Sequence, residues 1–195
     1  PPTPRWQRAF AFLGGEFPRL VRESAPHMTV AAVLFFVPLI ACILLLQWRP
    51  EWVHTLFDGA QLAEYEAMYD PDNPRQGVGR ESDSDLKMFG FYIFNNVGIG
   101  FRTFASGLLG AVGPVFILVF NGVMIGTVAG HLTAIGYGDP FWRFVAGHSA
   151  PELLAIVIAG AAGLRVGMAL IAPGRRSRGR ALVEEVATGA RLILG

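Results

Sequence analysis

Two long stretches, residues 28–48 and 103–132, contain no Asp, Glu, Lys or Arg. About 20 such residues are enough for a helix to cross the hydrocarbon layer. The first predicts a span over Met28–Trp48. Pro38 in its middle is a defect that membrane helices tolerate, and Trp48 fits an interfacial position. Upstream, Trp6, Phe10, Leu13, Phe17, Leu20 and Val21 recur at helical spacing, with Arg5, Arg8, Arg19 and Arg22 on the other side. Residues 1–27 therefore read as an amphipathic helix lying at the membrane surface.

Residues 49–88 change character. Acids from Glu51 to Asp85 outnumber the bases Arg49, Arg75, Arg80 and Lys87. Gln61–Tyr69 reads as a short helix, and the Pro-, Gly-, Asp- and Ser-rich stretch Asp70–Asp85 as a loop. Residues 89–132 then hold one charge, Arg102. That run is too long for one crossing and suits two, near 90–109 and 114–132, with a tight turn at Gly110-Ala111-Val112-Gly113-Pro114. A polar break at 133–150, with an interfacial turn at Phe141-Trp142-Arg143-Phe144, precedes a fourth span over Pro151–Ala172. Residues 89–172 thus hold three further spans. A basic segment, 173–195, starts Pro173-Gly174-Arg175-Arg176-Ser177-Arg178-Gly179-Arg180 and continues as an amphipathic helix. The expected fold class is all-α, a polytopic transmembrane helical bundle with amphipathic interfacial helices.

Composition supports this. Charged residues make up 16% of the chain, where a soluble domain carries about 25%, and mean hydropathy is +0.43. Glycine, 24 residues, lies largely inside the apolar runs, where it permits close helix contact. The net charge of +1 makes no case for nucleic acid. The single Cys42 excludes an intrachain disulfide. Basic residues flank the first span on its N-terminal side and fill 173–195, while 49–88 is acidic. By the positive-inside rule both ends face the cytoplasm and the acidic loop lies outside, which demands an even number of crossings. The expected location is the bacterial cytoplasmic membrane. The start at Pro1 and the apolar close Arg191–Gly195 lead one to expect sequence beyond both ends, including a further span.

Polar groups inside apolar segments are expensive and face the bundle interior or water. The candidate cluster is Asn95, Asn96, Arg102, Asn121, His148, Glu152 and Arg165. The plainer reading of Asn95 and Asn96 is interhelical hydrogen bonding. Arg102 needs a partner or a snorkelling route. Asn121-Gly122-x-x-x-Gly126-x-x-x-Gly130 sets an amide above a small-residue packing stripe. His148 and Glu152 share a helix face at i, i+4, and Arg165 is the expected counter-ion of Glu152. A metal would need more ligands, with His131 the one further candidate, so neither metal nor cofactor is expected. No His-Glu-x-x-His or P-loop motif occurs. Ser106 lacks the flanking glycine of a rhomboid-type protease, and Glu184-Glu185 lacks the arginine of a CAAX-type protease. Catalysis is not expected. The alternative to a structural role is a small transporter or channel running through Arg102, Asn121, His148, Glu152 and Arg165.

Phe94-Asn95-Asn96-Val97 with Arg102, Phe120-Asn121-Gly122-x-x-Ile125-Gly126, Gly147-His148-x-x-x-Glu152-Leu153 and Ala159-Gly160-Ala161-Ala162-Gly163-Leu164-Arg165-x-Gly167 stand in an order that resembles the stage II sporulation protein M family, over roughly residues 28–172. The resemblance implies a polytopic inner-membrane protein with no catalysis of its own. The sporulation member acts with two peptidoglycan-degrading proteins and is thought to anchor them; relatives occur beside AAA-type ATPase genes in bacteria that never sporulate. The partners this implies are the lipid bilayer, other membrane or envelope proteins, an AAA-type ATPase system and further copies of the chain. The function expected is a membrane scaffold or anchor in cell-envelope remodelling.

Overall fold

The computed structural model describes residues 5–72 and 97–194, with the side chains of Arg5 and of 144–150 excepted. The described residues are all-α, as the pattern predicts. The helices are α1 Arg5–Ala11, α2 Phe17–Glu23, α3 Ala25–Trp48, α4 Gly59–Tyr69, α5 Val97–Leu109, α6 Val112–Ala134, α7 Gly138–Ile171 and α8 Arg178–Leu194. A π-helical turn, Phe12–Glu16, joins α1 to α2 at Gly14 and Gly15, so the amphipathic N-terminal segment is interrupted. Among the described residues, three helical segments are long and apolar enough to cross a membrane: Ala25–Trp48, Val112–Ala134 and Pro151–Ile171. Of the second expected span, only Val97–Leu109 falls among the described residues.

Two compact units divide the chain. The first comprises Pro1–Val33, Ile99–Leu118 and Leu154–Gly195. Its α5 and α6 join through Gly110, whose φ of 79° lies in the left-handed region that glycine enters without steric cost. The turn therefore forms where the sequence places it. Glycines on α7 then allow backbone contact. A Cβ on Gly163 would lie 2.6 Å from the Thr103 carbonyl oxygen, and one on Gly160 would lie 2.6 Å from Leu118. The register is parallel. Gly100 meets Ala159, Gly107 meets Val166 and Gly110 meets Ile171, so α5 and α7 run in the same direction. α8 lays Ala181, Gly189 and Leu192 onto this unit, and Leu192 packs with Leu20 and Ala162.

The second unit comprises Leu34–Gly98 and Val119–Leu153. Here the expected small-residue stripe is the seam. Gly122, Gly126 and Gly130 of α6 press on the backbone of Phe35, Leu39 and Ile43 of α3, again in parallel register. Two parallel helices in one chain require a return path between them. Pro38 does not break α3; its ring sits beside Gly122. The Gln47 amide nitrogen donates to the Gly130 carbonyl at 3.0 Å, which closes the seam with a polar contact. α4 starts with a capping box in which the Asp58 carboxylate accepts from the Gln61 backbone N–H and the Gln61 side chain accepts from that of Asp58. The apolar face of the α4 region, Val53, Phe57 and Leu62, covers Leu46, with Met124 and Val128 at its edge.

One expectation is overturned. The break at 133–150 is confined to a short turn at Ile135–Tyr137, and α7 runs unbroken from Gly138 with Pro151 in its interior. Asp139 gives α7 an acid in its first turn, and Phe141 is buried beside Ala129 and Leu132, so burial and the favourable charge at the helix start begin the helix earlier than apolar composition indicates.

The seam yields a direct expectation. Gly126→Leu forces a side chain into the Leu39 backbone and should lower stability by about 1–3 kcal/mol. Gly179→Ala, with open space around it, should have no such effect. Denaturant unfolding in detergent compares the two, and equal stability of both variants would refute a close α3–α6 seam.

Candidate functional site

The polar chemistry of the first unit centres on Arg165. The guanidinium projects from α7 between Gly163 and Gly167 and is largely buried, its side chain 16% exposed. A lone buried cation costs several kcal/mol, so it must be paired. Its partner is Glu185 of α8, 14% exposed, with Nη2 2.7 Å and Nε 2.8 Å from Oε2. Two N–H donors on one carboxylate give the pair directional as well as electrostatic definition. Arg165 Nη1 also donates to Ser24 Oγ at 2.9 Å. Ser24 is fully buried at the break between α2 and α3. One side chain therefore ties α7 to α8 and to the N-terminal entry into α3.

A second layer surrounds this clasp. Arg176 donates to Glu184 at 2.8 Å and to Glu185 at 3.3 Å, and Arg180 donates to Glu184 at 2.8 Å. Hydrogen bonds from Arg176 and then Arg180 hold the Glu184 carboxyl below its ordinary range. These groups are solvent-accessible, so water screens their contribution. Farther along α8, Arg191 donates to Glu16 at 2.9 Å and ties the helix to the N-terminal segment.

The second unit carries its own polar contact. His131 Nε2 lies 2.7 Å from Glu66 Oε1, so α6 is tied to α4. The histidine is buried, and its Nδ1 has no hydrogen-bond partner among the described residues. The Trp142 indole donates to Thr133 Oγ1 at 3.1 Å across the turn that leads into α7.

Against the expected cluster, the outcome is mixed. Asn95 and Asn96 lie outside the described residues. Arg102 stands exposed on α5, with no ion pair among the described residues. Asn121 is half-buried beside the Gly122 seam. His148 lies on α7, but its side chain lies outside those described; Glu152 is half-buried one turn on. The expected pairing of Arg165 with Glu152 is replaced by Arg165 with Glu185. A carboxylate from a docked amphipathic helix reaches the guanidinium, and two charges along one helix need not meet. His131, the further metal candidate, is occupied with Glu66. Among the described residues no group of three His, Cys, Asp or Glu side chains gathers to hold a metal. The Ser106 hydroxyl donates to the Thr103 carbonyl of its own helix at 2.7 Å.

Sequence reasoning missed Glu185, Ser24 and Glu66. For Glu185 there was a signal. Ala181, Glu185, Gly189 and Leu192 fall on one face of α8, so an acid sits in the middle of an otherwise small and apolar stripe. An acid in that position has a cation waiting for it.

Glu185→Ala should destabilise the protein by about 3–5 kcal/mol by stranding Arg165, with Glu152→Ala costing much less in the same denaturant titration. Comparable losses from both would return the ion pair to Glu152. The Glu184 contacts carry a pH signature. Because its folded pKa is depressed, their contribution is present above the unfolded carboxylate range and is lost as pH falls through the depressed value. The Tm advantage of the wild type over Glu184→Gln should thus hold at pH 7 and shrink once pH falls below the ordinary carboxylate range, as Glu184 takes up its proton; an advantage that grows on acidification would contradict the pairing.

The family described as Stage II sporulation protein M matches residues 31–195. No curated protein matches the chain, and no solved structure does. The match takes in α3 from residue 31 onward, the other two long apolar helices and the docked α8, with the glycine seams and Arg165 inside it. The chain is a membrane protein and belongs to the stage II sporulation protein M family.

Proposed function

We propose that this protein is a non-enzymatic scaffold or anchor of the bacterial cytoplasmic membrane, holding envelope-remodelling partners in place. The observation that carries the reading is how its buried polar groups are used. Arg165 is taken up by Glu185 and Ser24, and His131 by Glu66. A translocation path needs polar groups facing a wet cavity, whereas these join helix to helix. A shallow hollow in the second unit, lined by Cys42, Leu45, Leu46, Trp52 and Leu56, is apolar.

Four crossings with both ends cytoplasmic agree with two features. α3 and α6 run parallel in one unit and α5 and α7 run parallel in the other, as alternate members of an up-and-down series do. Arg175, just before α8, and Arg178 and Arg180, in its first turn, stand exposed, the charge expected on the cytoplasmic side. The exposed acids Glu51, Asp58, Glu64 and Asp72 would then face outward and offer partners a negatively charged surface.

Crosslinking in native membranes through a photoreactive residue at Glu64, exposed on α4, tests the scaffold reading. A discrete heterologous adduct is expected, together with no ion flux when the purified protein is placed in liposomes. Flux that Arg165→Leu or Glu152→Gln abolishes, with no adduct, would favour the transporter alternative. Changing Arg175, Arg176, Arg178 and Arg180 to Glu should invert or scramble tag accessibility at the C-terminal end. Unaltered accessibility would count against the cytoplasmic assignment.

A further inference from the structure

The two arginines of the apolar helices in the first unit are treated differently. Arg165 is enclosed and has Glu185. Arg102 points outward from α5, exposed between Phe101 and Leu108, which are themselves 55% and 58% exposed. α5 lies alongside the apolar segment Pro151–Ile171. Gly100 is level with Ala159, and the Gly110 turn is level with Ile171, where that segment ends. Arg102 precedes Gly110 by eight residues, which puts it about 12 Å inside that end. A guanidinium facing hydrocarbon at this depth must bind an anion or carry its charge unpaired.

We propose that Arg102 is a binding site for the phosphate of an anionic phospholipid, whose acyl chain lies along Phe101, Leu108 and Leu109. Arginine is chemically suited to this, because its stem packs on apolar surface while its head reaches toward the interface, and its planar donors match phosphate oxygens. Local thinning of the bilayer supplies the remaining distance. A second observation sets the lipid's charge. The segment that follows Ile171 holds Arg175 and Arg178, both exposed and without an ion pair among the described residues, so the interface beside the Gly110 turn is basic and favours a net-negative headgroup. A carboxylate on a partner helix is the competing occupant. A lipid is favoured because the charge needs an anion from the moment of insertion, and lipid is present throughout.

The experiment uses the full chain in detergent. Phosphatidylglycerol in mixed micelles should raise the Tm of the wild type at least twice as far as phosphatidylcholine does, and inorganic phosphate should not reproduce the effect. Arg102→Leu should abolish the difference, Arg102→Lys should keep part of it, and Arg178→Leu, which removes one of the charges of the exposed basic segment, should lower it only in part. Independently of any variant, native mass spectrometry of the wild type should show a phosphatidylglycerol adduct that outlasts a phosphatidylcholine one. The proposal falls if Arg102→Leu keeps the selectivity, as a protein-docking role predicts. It also falls if Arg178→Leu loses it equally, if free phosphate gives the same shift, or if no selective adduct survives.

Discussion

A charge cannot stay unpaired where water is excluded, and in this protein that constraint falls on Arg165. The glycines on either side leave its helix free to approach neighbours at backbone distance, so the side chain is enclosed by protein. Glu185 and Ser24 then become structural necessities. Because Glu185 belongs to α8 and Ser24 to the α2–α3 junction, satisfying one charge also fixes an amphipathic helix that apolar contact alone holds weakly. Leu192, Leu20 and Ala162 supply the non-directional part of that docking, and the ion pair supplies the angle and register.

The same economy of side chains runs through the glycine seams. In a membrane, helices gain little from hydrophobic burial, and what holds them is close packing and internal hydrogen bonding. Gly122, Gly126 and Gly130 provide the packing and Gln47 the hydrogen bond in one unit; Gly160, Gly163 and Gly167 provide the packing in the other. The difference between the helices is visible in their exposure. Only 17% of the α3 apolar window is buried within the protein, against 61% of the α7 window. α7 is therefore the helix that can carry a charge inside, and α3 presents a face suited to lipid.

Much of this was legible in the chain. Charge-free runs located two of the three long apolar helices, Ala25–Trp48 and Val112–Ala134, the Gly110 turn announced itself by composition, and the four-residue glycine spacing on α6 named its packing face. The start of α7 was not legible, because Asp139, Trp142 and Arg143 look like a loop until Phe141 is seen to be buried. The partner of Arg165 was missed for a different physical reason. Helical periodicity relates residues on one helix, whereas Glu185 reaches Arg165 across a turn that brings α8 back onto α7. Glu66 and His131, far apart in sequence, were beyond any local pattern, since tertiary contact alone joins them. Family membership was readable from scattered motifs; what those motifs do was not, because Arg102 and Arg165 carry the same residue type in opposite surroundings.

Arg165 and Glu185 form a coupled pair that fixes α8, and on that coupling the rest depends. A double-mutant cycle with Arg165→Leu and Glu185→Leu, read by denaturant unfolding in detergent, measures it directly. The double variant should be appreciably more stable than the losses of the two single ones would sum to, with a coupling of about 2–3 kcal/mol. Additive losses, with coupling near zero, would contradict the pairing.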